Sequence, residues 1–60
     1  MKIDDIYEVL INEHDINGNG ITRINNFVVF VKNGLKDELI KIKIIKVNKR
    51  YAEAKGIGML

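Results

Sequence analysis

The chain contains no cysteine, no proline, no tryptophan and no serine, and each absence narrows what 60 residues can do. Without cysteine there is neither a disulfide staple nor a thiolate zinc site, the two common supports of a mini-domain. The apolar side chains must hold the fold unaided, in a chain so short that folding buries only about 60% of the surface its unfolded form exposes. Without serine or cysteine, and with Thr22 as the sole threonine, no nucleophile can be paired with a base. His14 has no second histidine or cysteine with which to share a metal, and it reads as a solvated loop residue. Neither enzyme chemistry nor a metal is expected, and no cofactor is implied. "GNGITR" lacks the third glycine of a dinucleotide fingerprint and the Lys-Ser/Thr of a phosphate loop, so it carries no weight as a nucleotide site. No apolar run approaches the roughly 18 residues of a membrane span, and "MKIDDIYEV" is acidic where a signal peptide is basic and apolar. The expectation is a soluble, cytoplasmic protein with no membrane partner.

What the chain does have is aliphatic bulk. Hydrophobic residues make up 47% of it and aromatic residues only 7%. The net charge of +2 conceals an asymmetry. In residues 1–30, Lys2 and Arg23 face Asp4, Asp5, Glu8, Glu13 and Asp15, a net of −3. In residues 31–60, Lys32, Lys36, Lys41, Lys43, Lys46, Lys49, Arg50 and Lys55 face Asp37, Glu38 and Glu53, a net of +5. A basic C-terminal half suits a polyanionic partner, and it equally suits a small β-protein that protects its edges with lysine.

The stretch "DINGNGITRINNF" raises the question of a calcium loop. Asp15, Asn17, Asn19 and Gly20 occupy the first, third, fifth and sixth positions of that pattern, but the twelfth is Asn26, an amide that cannot clamp a cation in bidentate fashion. The flanks decide the matter. The segment before the loop fits a helical stripe (Ile3, Ile6, Tyr7, Leu10, Ile11) or a strand (Tyr7, Val9, Ile11), whereas "FVVFV" after it is β-branched and aromatic throughout and too short for an exit helix. Asn17-Gly18 and Asn19-Gly20 then supply a turn, Asn25-Asn26 a two-residue hairpin joining "GITRI" to "FVVFV", and Asn33-Gly34 the end of that strand. In "ELIKIKIIKV" Ile40, Ile42 and Ile44 alternate with lysine until Ile45, where a bulge near Ile45 and Lys46 is needed to keep Val47 in step. "RYAEAKGI" sets Ala52 and Ala54 against Tyr51 and Glu53. The reading is all-β: five short strands in a small, strongly bent antiparallel barrel.

Taken together, Tyr7-Glu8-Val9, Gly18-x-Gly20-Ile21-x-Arg23-Ile24, Asn26-Phe27-Val28-Val29-Phe30-Val31, Glu38-x-x-Lys41-Ile42-Lys43-Ile44 and Lys49-Arg50-Tyr51-Ala52-x-Ala54 closely resemble the TRAM domain. The resemblance covers residues 5–57 as one domain and leaves 58–60 as a C-terminal tail. It implies a five-stranded, OB-like barrel that binds RNA. TRAM domains occur fused to transfer-RNA modifying enzymes or alone in archaea, and a chain of this length resembles the stand-alone kind, an RNA chaperone of cold-shock type or a binder of transfer RNA and other structured RNA. The family usually has Gly at the positions of Asn26 and Asp37 and Pro at that of Lys32, so the loop between Val31 and Glu38 is expected to differ in shape.

Single-stranded RNA is held by cations along its phosphates and by flat side chains under its bases. Tyr51 is the leading stacking candidate, opposite in parity to Ala52 and Ala54 and flanked by Lys49 and Arg50; its alternative is packing at the barrel rim. Phe27 divides evenly between stacking and core, while Phe30 and Tyr7 are assigned to the core. Arg23, in an otherwise uncharged strand, can stack on a base and fork onto phosphate, or else pair with a carboxylate. Lys46, Lys49 and Arg50 form a basic rim with Lys32 or Lys36, and Lys41 and Lys43 face solvent. The RNA-binding set is thus Arg23, Phe27, Lys32, Lys46, Lys49, Arg50 and Tyr51, on a monomer. The competing reading is a protein-interaction or assembly module acting through exposed strand edges.

Overall fold

The computed structural model describes residues 1–59 and contains six strands and no helix among them: β1 (Ile6–Leu10), β2 (Glu13–His14), β3 (Gly20–Ile24), β4 (Phe27–Lys32), β5 (Leu39–Val47) and β6 (Tyr51–Met59). They form one curled sheet in the order β1-β5-β6-β4-β3-β2. All neighbours are antiparallel except β4 and β6, which run parallel. No helix among the described residues is long and apolar enough to cross a membrane.

The count of six rather than five comes from a bend. Ile11 and Asn12 interrupt what the alternation suggests is one strand, so that its first part pairs with β5 and its last part with β3. The two edges of the sheet are therefore consecutive in the chain and meet at this corner. Three hydrogen bonds tie it: Thr22 Oγ1 donates to Leu10 O at 3.0 Å, Ile11 N to Glu38 O at 2.9 Å, and Asn12 N to Ile21 O at 3.0 Å. Beyond the corner β1 and β3 are not paired, and the expected closed barrel is an open one with a seam between them. β6 also runs on through Gly58 and Met59, into the segment set aside as a tail; Leu60 lies outside the described residues.

Turn chemistry explains the connections. Asn25 and Asn26 both sit at positive φ, 51° and 68°, the pair of left-handed residues that a type I′ hairpin requires and that asparagine tolerates best after glycine. Asp37, standing where the family usually has glycine, takes the same geometry at φ 67°. Its N–H bonds to Ile11 O at 2.8 Å, so the loop from Val31 to Glu38 is stitched back onto the bend. His14 holds that loop as well: its Nε2 lies 2.8 Å from Gly34 O and 3.0 Å from Lys36 N, donating to the first when it carries the proton and accepting from the second when it does not. The ring is thus a tether rather than the freely solvated side chain expected. Gly20 and Gly34 let these segments touch, since a Cβ on Gly20 would stand 2.8 Å from Ile11 Cγ2 and 3.1 Å from the Gly34 backbone.

The core is wholly aliphatic: Val9, Ile11, Val29, Val31, Ile40, Ile42, Ile44, Ala52 and Ala54, with Tyr7, Ile24 and Phe27 packed at its margin. The β5 alternation keeps isoleucine inward until a register shift between Ile44 and Lys46, the bulge that the pattern demanded. Phe30 departs from expectation. Val29 and Val31 are fully buried, so the two-residue period of β4 turns Phe30 to the outside. A sheet this tightly curled leaves room inside for branched aliphatics and sends its larger rings to the margin or the outer face.

Candidate nucleic-acid interface

Cross-strand partners share a face, so the registers of β3, β4 and β6 define what the outer surface presents. Arg23 pairs with Val28, and Val28 with Tyr51. Ile21 pairs with Phe30, and Phe30 with Glu53. Lys32 pairs with Lys55, and Lys55 with Lys43. The result is three rows on one wall: a guanidinium, an isopropyl group and a phenol; then two apolar groups and a carboxylate; then lysines. Arg23 and Tyr51 lie two strands apart, about 10 Å from spacing alone.

The aromatic pair gives the wall its shape. The Phe30 and Tyr51 ring centroids are 5.6 Å apart at an interplanar angle of 78°, an edge-to-face arrangement in which the two rings brace each other. Both rings are half-buried. They border a shallow groove of about 280 Å³ whose remaining lining is Asp15, Asn19 and Glu53. The rings can stack a base without demanding a particular one, whereas the groove's own charges are the carboxylates of Asp15 and Glu53, and the cations that would meet phosphate lie outside it.

The flanking charges are arranged unequally. Arg23 is exposed and forms no ion pair among the described residues, so its guanidinium is available. Lys46 reaches Glu53 at 3.7 Å and screens the one carboxylate of the middle row. Lys49 and Arg50 are exposed in the turn that leads into Tyr51, and that turn is closed by Asn48 N–H donating to Tyr51 O at 2.8 Å.

The loop beside the rings is held by Asp15. Its carboxylate accepts from Asn17 N–H and Asn19 N–H, both at 2.9 Å, and from Asn19 Nδ2 at 3.1 Å. These bonds, the Asn19 backbone donor foremost, lower the Asp15 pKa below its ordinary value. With its oxygens engaged by the loop and with strands rather than helices on either side, this segment is a turn and not a calcium cage. Among the described residues no group of three or more His, Asp or Glu side chains is placed to hold a metal ion.

Of the residues singled out from the sequence, Arg23, Tyr51, Lys32 and Lys46 share the outer wall, and Lys49 and Arg50 adjoin it. Phe27 does not. It faces inward beside Ile24, its hairpin partner, and lines a separate groove at the end of the sheet. Phe30, Val28 and Lys55 belong to the wall and were missed. The hairpin could have found two of them: a two-residue turn at Asn25-Asn26 makes Ile24 and Phe27 partners, which puts Arg23 opposite Val28 and Ile21 opposite Phe30. An arginine that must stay wet then carries Val28 and Phe30 outward with it.

Comparison with known proteins agrees with this architecture. Residues 3–57 match the TRAM domain family profile. An uncharacterized RNA methyltransferase of Clostridium acetobutylicum is 43% identical over 60 residues, which is all of this chain but 13% of that protein. The ribosomal RNA large subunit methyltransferase E of Methanococcoides burtonii is 41% identical over 59 residues, 97% of this chain and 22% of the relative. The chain thus spans a small fraction of these longer enzymes. The solution structure of a conserved protein from Methanococcus maripaludis superposes with a TM-score of 0.87 at 38% identity, covering 93% of this chain and 80% of that one. Bacterial and archaeal proteins both stand among the relatives, so an archaeal origin does not follow.

Proposed function

We infer that this chain, which belongs to the TRAM domain family, is a sequence-tolerant RNA-binding module that captures unpaired nucleotides on the outer wall of β3, β4 and β6. The observation that carries this reading is the row Arg23–Val28–Tyr51 with Phe30 braced against the tyrosine ring. A base laid on Tyr51 gains about 1–3 kcal/mol from stacking. Its phosphates meet Arg23 on one side and Lys49 and Arg50 on the other.

The module binds and does not catalyse. Thr22, the sole hydroxyl of aliphatic type, is buried and donates to Leu10 O, and the His14 ring is occupied in holding a loop. Two uses follow from such a wall. Acting alone as a cytoplasmic monomer, it trades weak stacking contacts for RNA base pairs and so lowers the barrier between alternative folds, as an RNA chaperone does. Joined to a methyltransferase, as the relatives' descriptions suggest, it holds structured RNA, transfer RNA included, near a catalytic domain.

Titration with short single-stranded RNA at several salt concentrations tests the reading. Binding releases counterions, so the logarithm of affinity falls linearly with the logarithm of salt concentration. A salt-independent affinity, or chemical-shift changes that bypass Arg23 and Tyr51, would overturn it.

A second reading has one observation in its favour. Along the seam β1 and the part of β3 beyond Ile21 have no strand partner on that side, and a groove of about 340 Å³ lies between Tyr7, Glu8, Leu10 and Arg23. A partner's strand added to either edge makes the chain an assembly module, and a dimer or complex on sizing chromatography without RNA binding would favour it.

A further inference from the structure

We propose that the groove at the Phe27 end of the sheet is a pocket for a single unpaired nucleobase, contacted by the side-chain amide of Asn48. The proposal rests on the RNA-binding reading above and adds to it a second site, off the outer wall.

Three observations meet here. The groove, about 240 Å³, is lined by Met1, Ile24, Asn25, Phe27, Val47 and Asn48, an aromatic ring and aliphatic groups with amides at the edge. Asn48 Nδ2 is shut off from solvent and has no hydrogen-bond partner, the sole such side-chain atom among the described residues. A native fold seldom leaves a buried donor unpaired, and one that does so commonly reserves it for a ligand or a water. Finally, the residues that line the groove are chain neighbours of those on the wall. Strand alternation sends Arg23 outward and Ile24 inward, Val28 outward and Phe27 inward, while Lys49, Arg50 and Tyr51 follow Asn48 directly. In this proposal a strand of RNA lying across Arg23 and Tyr51 continues over this end of the sheet to the groove, with exposed Lys49 and Arg50 beside it.

The chemistry selects the occupant. An aliphatic chain from a lipid or an apolar peptide would match the walls and leave the amide unpaired. A phosphate would satisfy the amide and be poorly housed among Ile24, Phe27 and Val47. A nucleobase has both parts: a flat apolar face for the Phe27 ring and ring-nitrogen or carbonyl acceptors on its edge for Nδ2. The proposal includes a turn of the Asn48 amide about its last side-chain torsion, which carries the donor from its buried position to the groove, while the backbone bond from Asn48 N to Tyr51 O, 2.8 Å long, keeps the chain turn in place.

The test follows labelled protein during titration with a six-nucleotide oligouridylate, reading the Asn48 side-chain amide, the Ile24 methyls and the Phe27 ring alongside Arg23 and Tyr51. Both sets are expected to move with one midpoint. Asn48→Leu keeps the volume and removes the unpaired donor, so it is expected to raise the thermal midpoint while weakening oligouridylate binding roughly five-fold, with the salt dependence unchanged. A purely structural Asn48 would give the gain in stability with unaltered affinity. If Arg23 and Tyr51 move while Asn48, Ile24 and Phe27 stay still, the pocket is refuted and the RNA-binding wall stands. If neither set moves, both fall. The wild-type titration decides the matter even if the variant does not fold.

Discussion

The curled sheet has two outer faces, both dotted with cations, and register sets them apart. Over β1 and β5, Glu8 stands opposite Lys41, Leu10 opposite Leu39, and Ile6 opposite Lys43, which also reaches Asp4 at 3.5 Å. Glu8 and Lys41 are in register without an ion pair, Lys43, whose other neighbour is Lys55 at the border of the two regions, is paired with Asp4, and the apolar groups between them are aliphatic and about half exposed. Over β3, β4 and β6, Arg23 stands opposite a valine, and the large side chains beside it are aromatic. The first face neutralises itself and remains soluble through lysine. The second leaves a guanidinium that forms no ion pair among the described residues and sets aromatic rings on the same wall. Composition alone does not separate the wall proposed to bind RNA from a solvated one; the difference between them lies in how their charges are placed across the strands.

The largest expected break in this contrast is Tyr51→Ala, which removes the stacking platform and costs about 1–3 kcal/mol of binding, roughly 5- to 150-fold in affinity. Lys41→Ala on the opposite face should change affinity less than two-fold at the same salt, because that lysine already faces Glu8. Equal losses in the two variants, measured by fluorescence anisotropy, would erase the distinction between the faces. Arg23→Lys comes next. It keeps the charge and discards the planar fork, so affinity should drop several-fold while the salt slope stays put, whereas Arg23→Ala should reduce that slope by about one unit. A smaller effect of opposite sign is expected for Glu53→Gln. Removing the carboxylate from the middle row frees Lys46, now 3.7 Å away, and should tighten binding about two-fold at low salt and negligibly at high salt. Weaker binding in this variant would mean that Glu53 positions the wall rather than opposing its ligand.

How far the wall was legible in the sequence depends on how local each piece is. The Asn25-Asn26 hairpin and the bulge after Ile44 are written in neighbouring residues, and both stand where the pattern puts them. A thin core short of large fillers points Phe30 inward, whereas the hairpin register followed from Arg23 turns that ring out. The relation of Arg23 to Tyr51 has no local trace. It depends on β4 running parallel to β6 with Val28 opposite Tyr51, a pairing between segments 23 residues apart in the numbering. The bend at Ile11 and Asn12 is equally silent, for neither residue is glycine or proline, and the strand splits only because the sheet curls back upon it. The role of His14 follows from that curl, since Gly34 and Lys36 come within its reach only when the loop folds over the bend.

The smallest expected effect concerns the edge of the wall rather than its centre. Asp15 lines the groove beside Phe30 and Tyr51, and its carboxylate, held below its ordinary pKa of 3.8 chiefly by the Asn19 backbone donor, fixes the loop there. A depressed folded-state pKa means that the charged form favours the native loop. Its contribution is complete above pH 3.8 and disappears as the pH falls through the lower folded-state value. Across neutral and mildly acidic solution the loop should therefore be constant. On further acidification the Asn17 and Asn19 amide resonances should shift together with a midpoint under 3.8. A midpoint at or above 3.8 would show that the Asp15 bonds do not hold the loop in solution, and the rim that this loop gives the aromatic groove would lose its support.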